Sequence, residues 1–580
     1  MAAGTSPVGA AAPAGPTELT GFSVRPFGMG FVTVAYLATD ADGNIYLPGG
    51  TEGAAIVKLA PDGTLAARYA GTEVVPGQPD TIAGLAIDPA TGDLWASDLT
   101  ADRILHLTPD LEPIGSFGAT GAESGAFFGP GGLAVDADGN LVVADTGNDR
   151  LQRFAPDGTL LGTLDAPGGT TNPVDVTVAP DGDLLASTTQ PMWAGLVVRM
   201  HPDGSAATPI LPAGQTTELF PNAAVEADGS VLVGDAWNGI IRFGPDGTQQ
   251  GGPIAVPGMG TAPYAVRVAP DGTLVTLACM FESTDCTLAR LDPTGKVLAQ
   301  WHIAEKPTLL GQTYPVNGAD LYLQCAGEGS PTIVWNSGSG GSSWVGTQAY
   351  LLGRLARTTR VCIWDRRGVG LSSPTGETDM HDWFGDLADL HGLLAAAGET
   401  GPTVMAGYSY GGLLARLYAE TYPDGVQGVL AIDPSHEDEY AGPPDPAADA
   451  GTMPCDTEAC PYFGDIARAH ELSGGRVAGV LGDLPLVVLS HDADVPFFGT
   501  PEYDAYWLQL GKDTATASSN AVHVSSSWSS HQIPYAHPAL VIEALEELVA
   551  SARAGGAALP PCEAAFPALG GVCEEPVAAG

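Results

Sequence analysis

A chain of 580 residues is too long for one hydrophobic core, so two or more domains are expected. It carries 22 Lys and Arg against 67 Asp and Glu, a formal net charge of -45, and lysine stands only at Lys58, Lys296, Lys306 and Lys512. Such a surface repels phosphate backbones and anionic lipid heads, and no apolar run reaches the ~18 residues of a membrane span, so neither a nucleic-acid partner nor membrane insertion is expected.

Residues 1–19, rich in Ala, Gly, Pro, Thr and Ser with no basic start and no apolar stretch, read as a flexible leader and not as a signal peptide. From 20 to 303 the chain repeats a unit of roughly 43 to 49 residues, the length of a four-stranded propeller blade. Each unit has two Asp-Gly-type hairpin turns between alternating strands. The first turn recurs at Asp42-Gly43, Thr91-Gly92, Asp138-Gly139, Asp181-Gly182, Asp228-Gly229 and Asp271-Gly272. The second recurs at Asp62-Gly63, Asp110, Asp157-Gly158, Asp203-Gly204, Asp246-Gly247 and Thr294-Gly295. Six units predict a closed ring, which leaves few exposed strand edges.

The segment from Ala144 through Thr146, Gly147, Asn148 and Asp149 to Arg150 is close to the signature of NHL-repeat propellers, and this half resembles that family. The resemblance implies a platform that binds substrate or another protein. Lactonases share the architecture, and a metal-dependent lactonase reading would need carboxylates such as Asp98, Asp145 and Asp235 to converge on a metal. In the resembled family those positions fix turns, so no metal and no cofactor is expected.

Residues 308–556 alternate short apolar strands, expected at 320–324, 332–335, 360–364, 403–406, 426–432 and 484–489, with helical stretches, the last at 538–553. That alternation predicts a doubly wound parallel sheet. Gly407-Tyr408-Ser409-Tyr410-Gly411 sits between an apolar strand and a helical run, which is a G-x-S-x-G nucleophile elbow in its strand-turn-helix setting. The glycines are required because the turn leaves no room for side chains, and Ser409 is expected to stand out at the top of the sheet.

This half resembles the α/β-hydrolase superfamily over nearly its whole length. Besides the elbow it has a Gly- and Ser-rich segment at 336–343 after a strand, where the family places its oxyanion loop. Asp365-Arg366-Arg367-Gly368-Val369-Gly370 resembles a structural turn of that family and is given no catalytic role. The fold expected for the whole chain is thus multidomain: an all-β six-bladed propeller, then an α/β-hydrolase doubly wound sheet. A short lid is expected at 434–483, with Tyr440, Tyr462 and Phe463 as candidate slot residues, though core packing is the favoured reading of these aromatics. A disulfide-containing tail is expected at 557–580.

Cleaving an ester or amide needs a nucleophile, a base that returns a proton to the leaving group, and oxyanion donors. Ser409 supplies the first. The fold orders its triad Ser, acid, His, which leaves His523, His531 and His537 as candidates; His531, after Ser529 and Ser530 and ahead of the last helix, is favoured. Asp494 is the favoured acid, with Asp492 beside it in the loop after 484–489, where the superfamily normally puts it. Asp433, ending the preceding strand, is the other alternate, a place used by some lipases of this fold. Oxyanion donors are expected from the backbone N–H groups of Tyr410 and Ser339.

Eight cysteines fall into local pairs, Cys279 with Cys286, Cys325 with Cys362, Cys455 with Cys460 and Cys562 with Cys573, so four disulfides and a secreted or extracellular setting are expected. A propeller ahead of a serine hydrolase resembles the prolyl oligopeptidase group, where the ring restricts which peptides enter. Six NHL-like units differ from the blades of that group, and the hydrolase half is similar to the general esterase and proline-iminopeptidase branch. The expected function is a serine hydrolase acting on a small-molecule or peptide substrate, with the ring as gating or binding module. A non-catalytic surface protein is the alternative.

Overall fold

The computed structural model describes residues 17–19, 27–29, 32–34, 36–49, 55–72, 80–165, 172–190, 194–211, 222–235, 239–256, 263–279, 286–303, 311–339, 351, 353–373, 382–439, 463–492, 501–527 and 529–574. The six repeats form six antiparallel blades, beginning at Ala38–Thr39, Ile82–Ile87, Pro130–Val135, Pro173–Val178, Ala223–Val225 and Pro263–Val268. The turn glycines behave as their spacing requires: Gly43, Gly92, Gly139, Gly182, Gly229 and Gly272 all have φ between 78° and 91°. At the irregular second-blade turn, where Asp110 is not followed by glycine, Leu111 itself takes the left-handed conformation (φ 66°) and is buried. Packing of its side chain under the turn offsets a backbone cost of about 1–2 kcal/mol.

Three residues expected to be leader, Thr17–Leu19, form a strand that pairs in parallel with Val297–Ile303, the outer strand of the sixth blade. The ring's hydrogen-bonded structure therefore starts before residue 20, as a fifth strand on the outer edge of the sixth blade.

The second half is one nine-stranded sheet. In chain order its strands are β1 (Gln312–Val316), β2 (Ala319–Ala326), β3 (Thr332–Asn336), β4 (Val361–Trp364), β5 (Thr403–Tyr408), β6 (Val426–Ile432), β7 (Leu486–Ser490), β8 (Ala521–Ser526) and β9 (Gly571–Cys573). Their spatial order is β1-β2-β4-β3-β5-β6-β7-β8-β9. The run from β4 to β8 is parallel, and helices α1 (Trp383–Ala397), α2 (Tyr410–Thr421), α3 (Phe463–Leu472), α4 (Pro501–Ala515), α5 (Ile533–Ala536) and α6 (Pro538–Arg553) connect or cover it. Val404, Ala406, Leu430, Ile432, Val487 and Leu489 are buried on one face against Leu540, Leu545 and Leu548 of α6. Met405, Val429 and Val488 are buried on the other, in the cluster that holds α1 and α2.

The expected tail is part of this sheet: β9 pairs antiparallel with β8, and the Cys562–Cys573 disulfide fastens it. A second disulfide joins register partners Cys325 and Cys362 on β2 and β4. Cys286, register partner of Cys279, is disulfide-bonded as well, while Cys455 and Cys460 lie outside the described residues. Among the described residues no helix is long and apolar enough to cross a membrane.

The halves touch through named contacts. Tyr36, Ala83 and Leu99 of the ring share an apolar cluster with Leu351, Leu355 and Ile533. Arg354 is ion-paired with buried Asp102 and lies 4.5 Å over the Phe128 ring, and Arg357 Nη1 donates to the Thr100 carbonyl (3.1 Å). Helix α5 lies against the strand Phe27–Met29.

Candidate active site

Four strand ends lie level. Tyr408 on β5 pairs with Ile432 on β6, Ile432 with Leu489 on β7, and Leu489 with Val524 on β8. Whatever follows each of these residues emerges at one edge of the sheet. After β5 comes Ser409, at φ 54° and ψ -123°, a left-handed conformation for a residue with a side chain. The elbow is held by the Ser409 N–H donating to Ile432 O (2.8 Å) and the Ser435 N–H donating to Ser409 O (3.0 Å). A Cβ on Gly407 would run into the Gly411 carbonyl, and one on Gly411 into the carbonyls of Asn336 and Ser337. The G-x-S-x-G spacing thus reports a real close approach of three backbones.

His531 reaches this edge from the loop after β8. Ser409 Oγ lies 3.0 Å from its Nε2, and the other ring nitrogen, Nδ1, lies 2.6 Å from Asp433 Oδ2. With Nδ1–H donating to the carboxylate, Nε2 is left to accept the Ser409 proton. The ring is flanked by Tyr408 (centroids 4.9 Å apart) and Trp507 (5.7 Å), which fix its plane.

The carboxylate that His531 meets is that of Asp433, one of the two alternates; the favoured Asp494 lies outside the described residues. Asp433 has φ 40°, and its N–H donates to Leu489 O (2.6 Å). This turn at the end of β6 aims the carboxylate along the row of strand ends. Asp492 serves the site through its backbone, its N–H donating to Ser529 O (2.8 Å) in the loop that carries His531. Of the other histidines, His523 is buried within β8 and shares a 2.8 Å hydrogen bond with Ser490 Oγ, and His537 opens α6 with its N–H donating to Ile533 O. The structure brings neither of them to Ser409.

Asp433 is wholly buried. Burial pushes its carboxyl up, but His491 and then His531 outweigh that, and the group is held well below the usual carboxylate range. His491, in the loop after β7 that offers Asp492 and Asp494, reaches the same carboxylate. Its Nδ1 lies 3.0 Å from Asp433 Oδ1 and its backbone N–H donates to the same oxygen (3.0 Å). The signal available was the Ser490-His491-Asp492 tripeptide.

Tyr410 is the first residue of α2, so its N–H is one of those a helix start leaves for outside acceptors. Gly338 faces it from the 336–339 loop: a Cβ there would lie 3.5 Å from Ser409 Cβ. The loop is held by Asn336, whose Nδ2 donates to Ala406 O (3.0 Å), and by buried Arg366, which donates from Nη1 to Ser337 O and from Nη2 to Gly338 O (both 2.6 Å). Arg366 also lies 4.8 Å over the Tyr410 ring, and the Tyr410 hydroxyl donates to Asp386 (2.8 Å). The turn given no catalytic role thus anchors the loop that carries Ser339. Beyond it, residues 340–350 and the lid segment 440–462, with Tyr440 and Tyr462, lie outside the described residues, as does the Phe463 side chain.

In the ring, the carboxylates considered for a metal are held by arginine. Asp98 takes Arg103 Nε (2.9 Å), and Asp145 takes Arg150 Nε (2.7 Å) together with Asn148 and Gln152. The side chain of Asp235 is outside the described residues. On the inner strands Asp175 accepts from Asn222 Nδ2 (2.9 Å) and Arg267 Nη2 (3.1 Å). A guanidinium thus holds the charge that a lactonase-type site would give to a metal, and this donor set does not fit one. Of the possible metal ligands that cluster among the described residues, Cys325, Cys362 and Glu399, two are spent in a disulfide.

Residues 331–453 match the family model of the alpha/beta hydrolase fold, and residues 127–154 match that of the NHL repeat. Fold and matches define a multidomain protein with a six-bladed propeller ahead of a domain of the alpha/beta hydrolase fold. Among curated proteins, the uncharacterised YqjL of Bacillus subtilis (strain 168) is 25% identical over 240 residues, 41% of this chain and 90% of its own. The pimeloyl-[acyl-carrier protein] methyl ester esterase of Shewanella sp. (strain MR-7) is 32% identical over 123 residues, 21% of this chain and 42% of its own. Among solved structures, a streptogramin B lyase covers 53% of this chain and 93% of its own at 16% identity and a TM-score of 0.36. Est1E from Butyrivibrio proteoclasticus, solved with ferulic acid bound, covers 42% and 99% at 18% identity and a TM-score of 0.32.

Proposed function

We propose that this protein is a secreted serine hydrolase that cleaves an ester or amide of a small molecule or peptide through an acyl-enzyme, with the propeller binding or gating the substrate. The observation that carries the reading is the hydrogen-bonded row Ser409, His531, Asp433, at 3.0 and 2.6 Å, ending in a wholly buried carboxylate. Ser409 Oγ bonds to the carbonyl carbon as its proton passes to His531 Nε2. Asp433 stabilises the imidazolium so formed and keeps the ring in its tautomer. The N–H groups of Tyr410 and Ser339 receive the oxyanion, each such donor being worth about 10²–10³ in rate. Collapse breaks the bond to the leaving alcohol or amine, which takes the proton from His531. Water then gives a proton to His531 and attacks the acyl carbon, and Ser409 leaves with that proton.

The likeness to a methyl ester esterase supports esters as the first substrates to try. The ring's role is supported by position, since Phe27–Met29 lies against α5, two residues after His531. Secretion is supported by the two described disulfides. A fluorophosphonate probe with p-nitrophenyl esters of short acids tests the reading. Wild type should be labelled once, at Ser409, and Ser409→Ala should lose labelling and at least about 10⁴-fold in turnover. Ester hydrolysis that survives Ser409→Ala would overturn it.

A further inference from the structure

Behind Asp433 the hydrogen-bonded row continues. His491 gives its backbone N–H to Asp433 Oδ1 (3.0 Å) and sets its ring Nδ1 between both carboxylate oxygens, 3.0 Å from Oδ1 and 3.1 Å from Oδ2, while His531 Nδ1 lies 2.6 Å from Oδ2. On the far side of the His491 ring, Nε2 lies 3.8 Å from Oδ1 of Asp504 on α4. Asp433, His491 and Asp504 are all wholly buried. A buried carboxylate needs a counter-charge or several donors. His491 supplies two donors to one acid and lies between two.

We propose that His491 is a positioning residue of this site: an imidazolium clamped between Asp433 and Asp504 that fixes the carboxylate of Asp433 for His531. The proposal rests on the reading of Ser409 as nucleophile. With its backbone N–H on Oδ1 and its ring Nδ1 between both oxygens, His491 fixes the plane of the carboxylate with Oδ2 toward His531 Nδ1. By carrying a charge, it keeps Asp433 ionised when His531 takes the serine proton, so the proton has no reason to travel on to the acid. The charged and titratable groups facing His491 are Asp433 at the end of β6, Asp504 on α4 and its chain neighbour Asp492, with His531 across the Asp433 carboxylate. Burial alone would pull the imidazole down, but those three carboxylates outweigh it and raise it above the ordinary histidine value.

Two variants separate the hydrogen bond from the charge. His491→Asn keeps an amide N–H near the place of Nδ1 and loses the charge, whereas His491→Leu loses both. The plateau rate of fluorophosphonate labelling should fall at least about tenfold in the Leu variant and return to within about threefold of wild type in the Asn variant. In both, loss of the positive charge makes His531 easier to protonate, so the midpoint of the rate-pH profile should move up by about one pH unit. Equal plateau losses in the two variants, or midpoints that stay in place, overturn the proposal. A readout independent of turnover is the ¹⁵N titration of histidine-labelled Ser409→Ala protein, with the His491 signal assigned by its loss in His491→Asn. The His491 midpoint should lie above that of an ordinary histidine, and a midpoint at or below it overturns the proposal. Absence of labelling in wild type, by contrast, strikes the reading of Ser409 and leaves that titration to decide.

Discussion

In the propeller three buried carboxylates answer to arginines of the ring: Asp98 to Arg103, Asp145 to Arg150 and Asp175 to Arg267. At the candidate active site the buried carboxylate, Asp433, answers to two histidines. Arginine never gives up its proton, so the ring's pairs keep their cation and have no proton to hand on. Histidine exchanges its proton near neutrality, so the same electrostatic arrangement becomes one that can move charge. Away from its site the hydrolase half follows the ring's habit, as with Arg416 and Glu437, both buried. The partner of a buried acid, more than its burial, separates scaffold from chemistry here.

Exchanging Asp433 and Asp98 for their amides is the strongest way to break that comparison. Asp433→Asn should lower kcat by about 10⁴-fold, since an amide beside Nδ1 favours the wrong tautomer, and Asp492→Asn should cost far less. Asp98→Asn should leave ester turnover intact and lower unfolding free energy by about 1–2 kcal/mol, because Arg103 loses one buried partner and keeps Asp80 (3.2 Å). A catalytic loss from Asp98→Asn comparable to that from Asp433→Asn would erase the distinction.

Glycine sharpens the contrast next. Gly411→Ala drives a methyl into the carbonyls of Asn336 and Ser337 and should cost about 3 kcal/mol or more along with the labelling of Ser409. Gly182→Ala meets no atom within 4 Å and strains only its left-handed backbone (φ 91°), so about 1 kcal/mol is expected, without effect on activity. Chemical denaturation of both variants measures the difference.

The smallest effect is in pH. Burial pulls the His523 imidazole down from 6.5 to about 4. Between those values the unfolded chain binds the proton that the folded one refuses, so stability is lost as pH falls through that window. The loss should be on the order of 1–3 kcal/mol. In His523→Gln that slope should flatten, and an unchanged slope would assign the acid sensitivity to other groups.

Much was legible along the chain because it is local. Blade turns follow from Asp-Gly spacing, the elbow from glycines at the places where its backbone path leaves no room for a side chain, and the last helix from an apolar period starting at Pro538. Even there, context overrode pattern where packing paid more than propensity. Leu111 took a glycine's conformation because its side chain is buried, and Thr17–Leu19 became a strand because the sixth blade offered an open edge.

What the chain alone could not decide is which acid serves His531, because that is a question of register between strands far apart in sequence. Asp433 and His531 are 98 residues apart, and Asp433 and His491 are 58 apart. They meet because Ile432, Leu489 and Val524 are level across three parallel strands and because the positive φ at Asp433 turns its carboxylate along that line. Local sequence determines that a strand ends in an aspartate. Only the assembled sheet determines what that aspartate faces, and an imidazole and a guanidinium in that place lead to different chemistry.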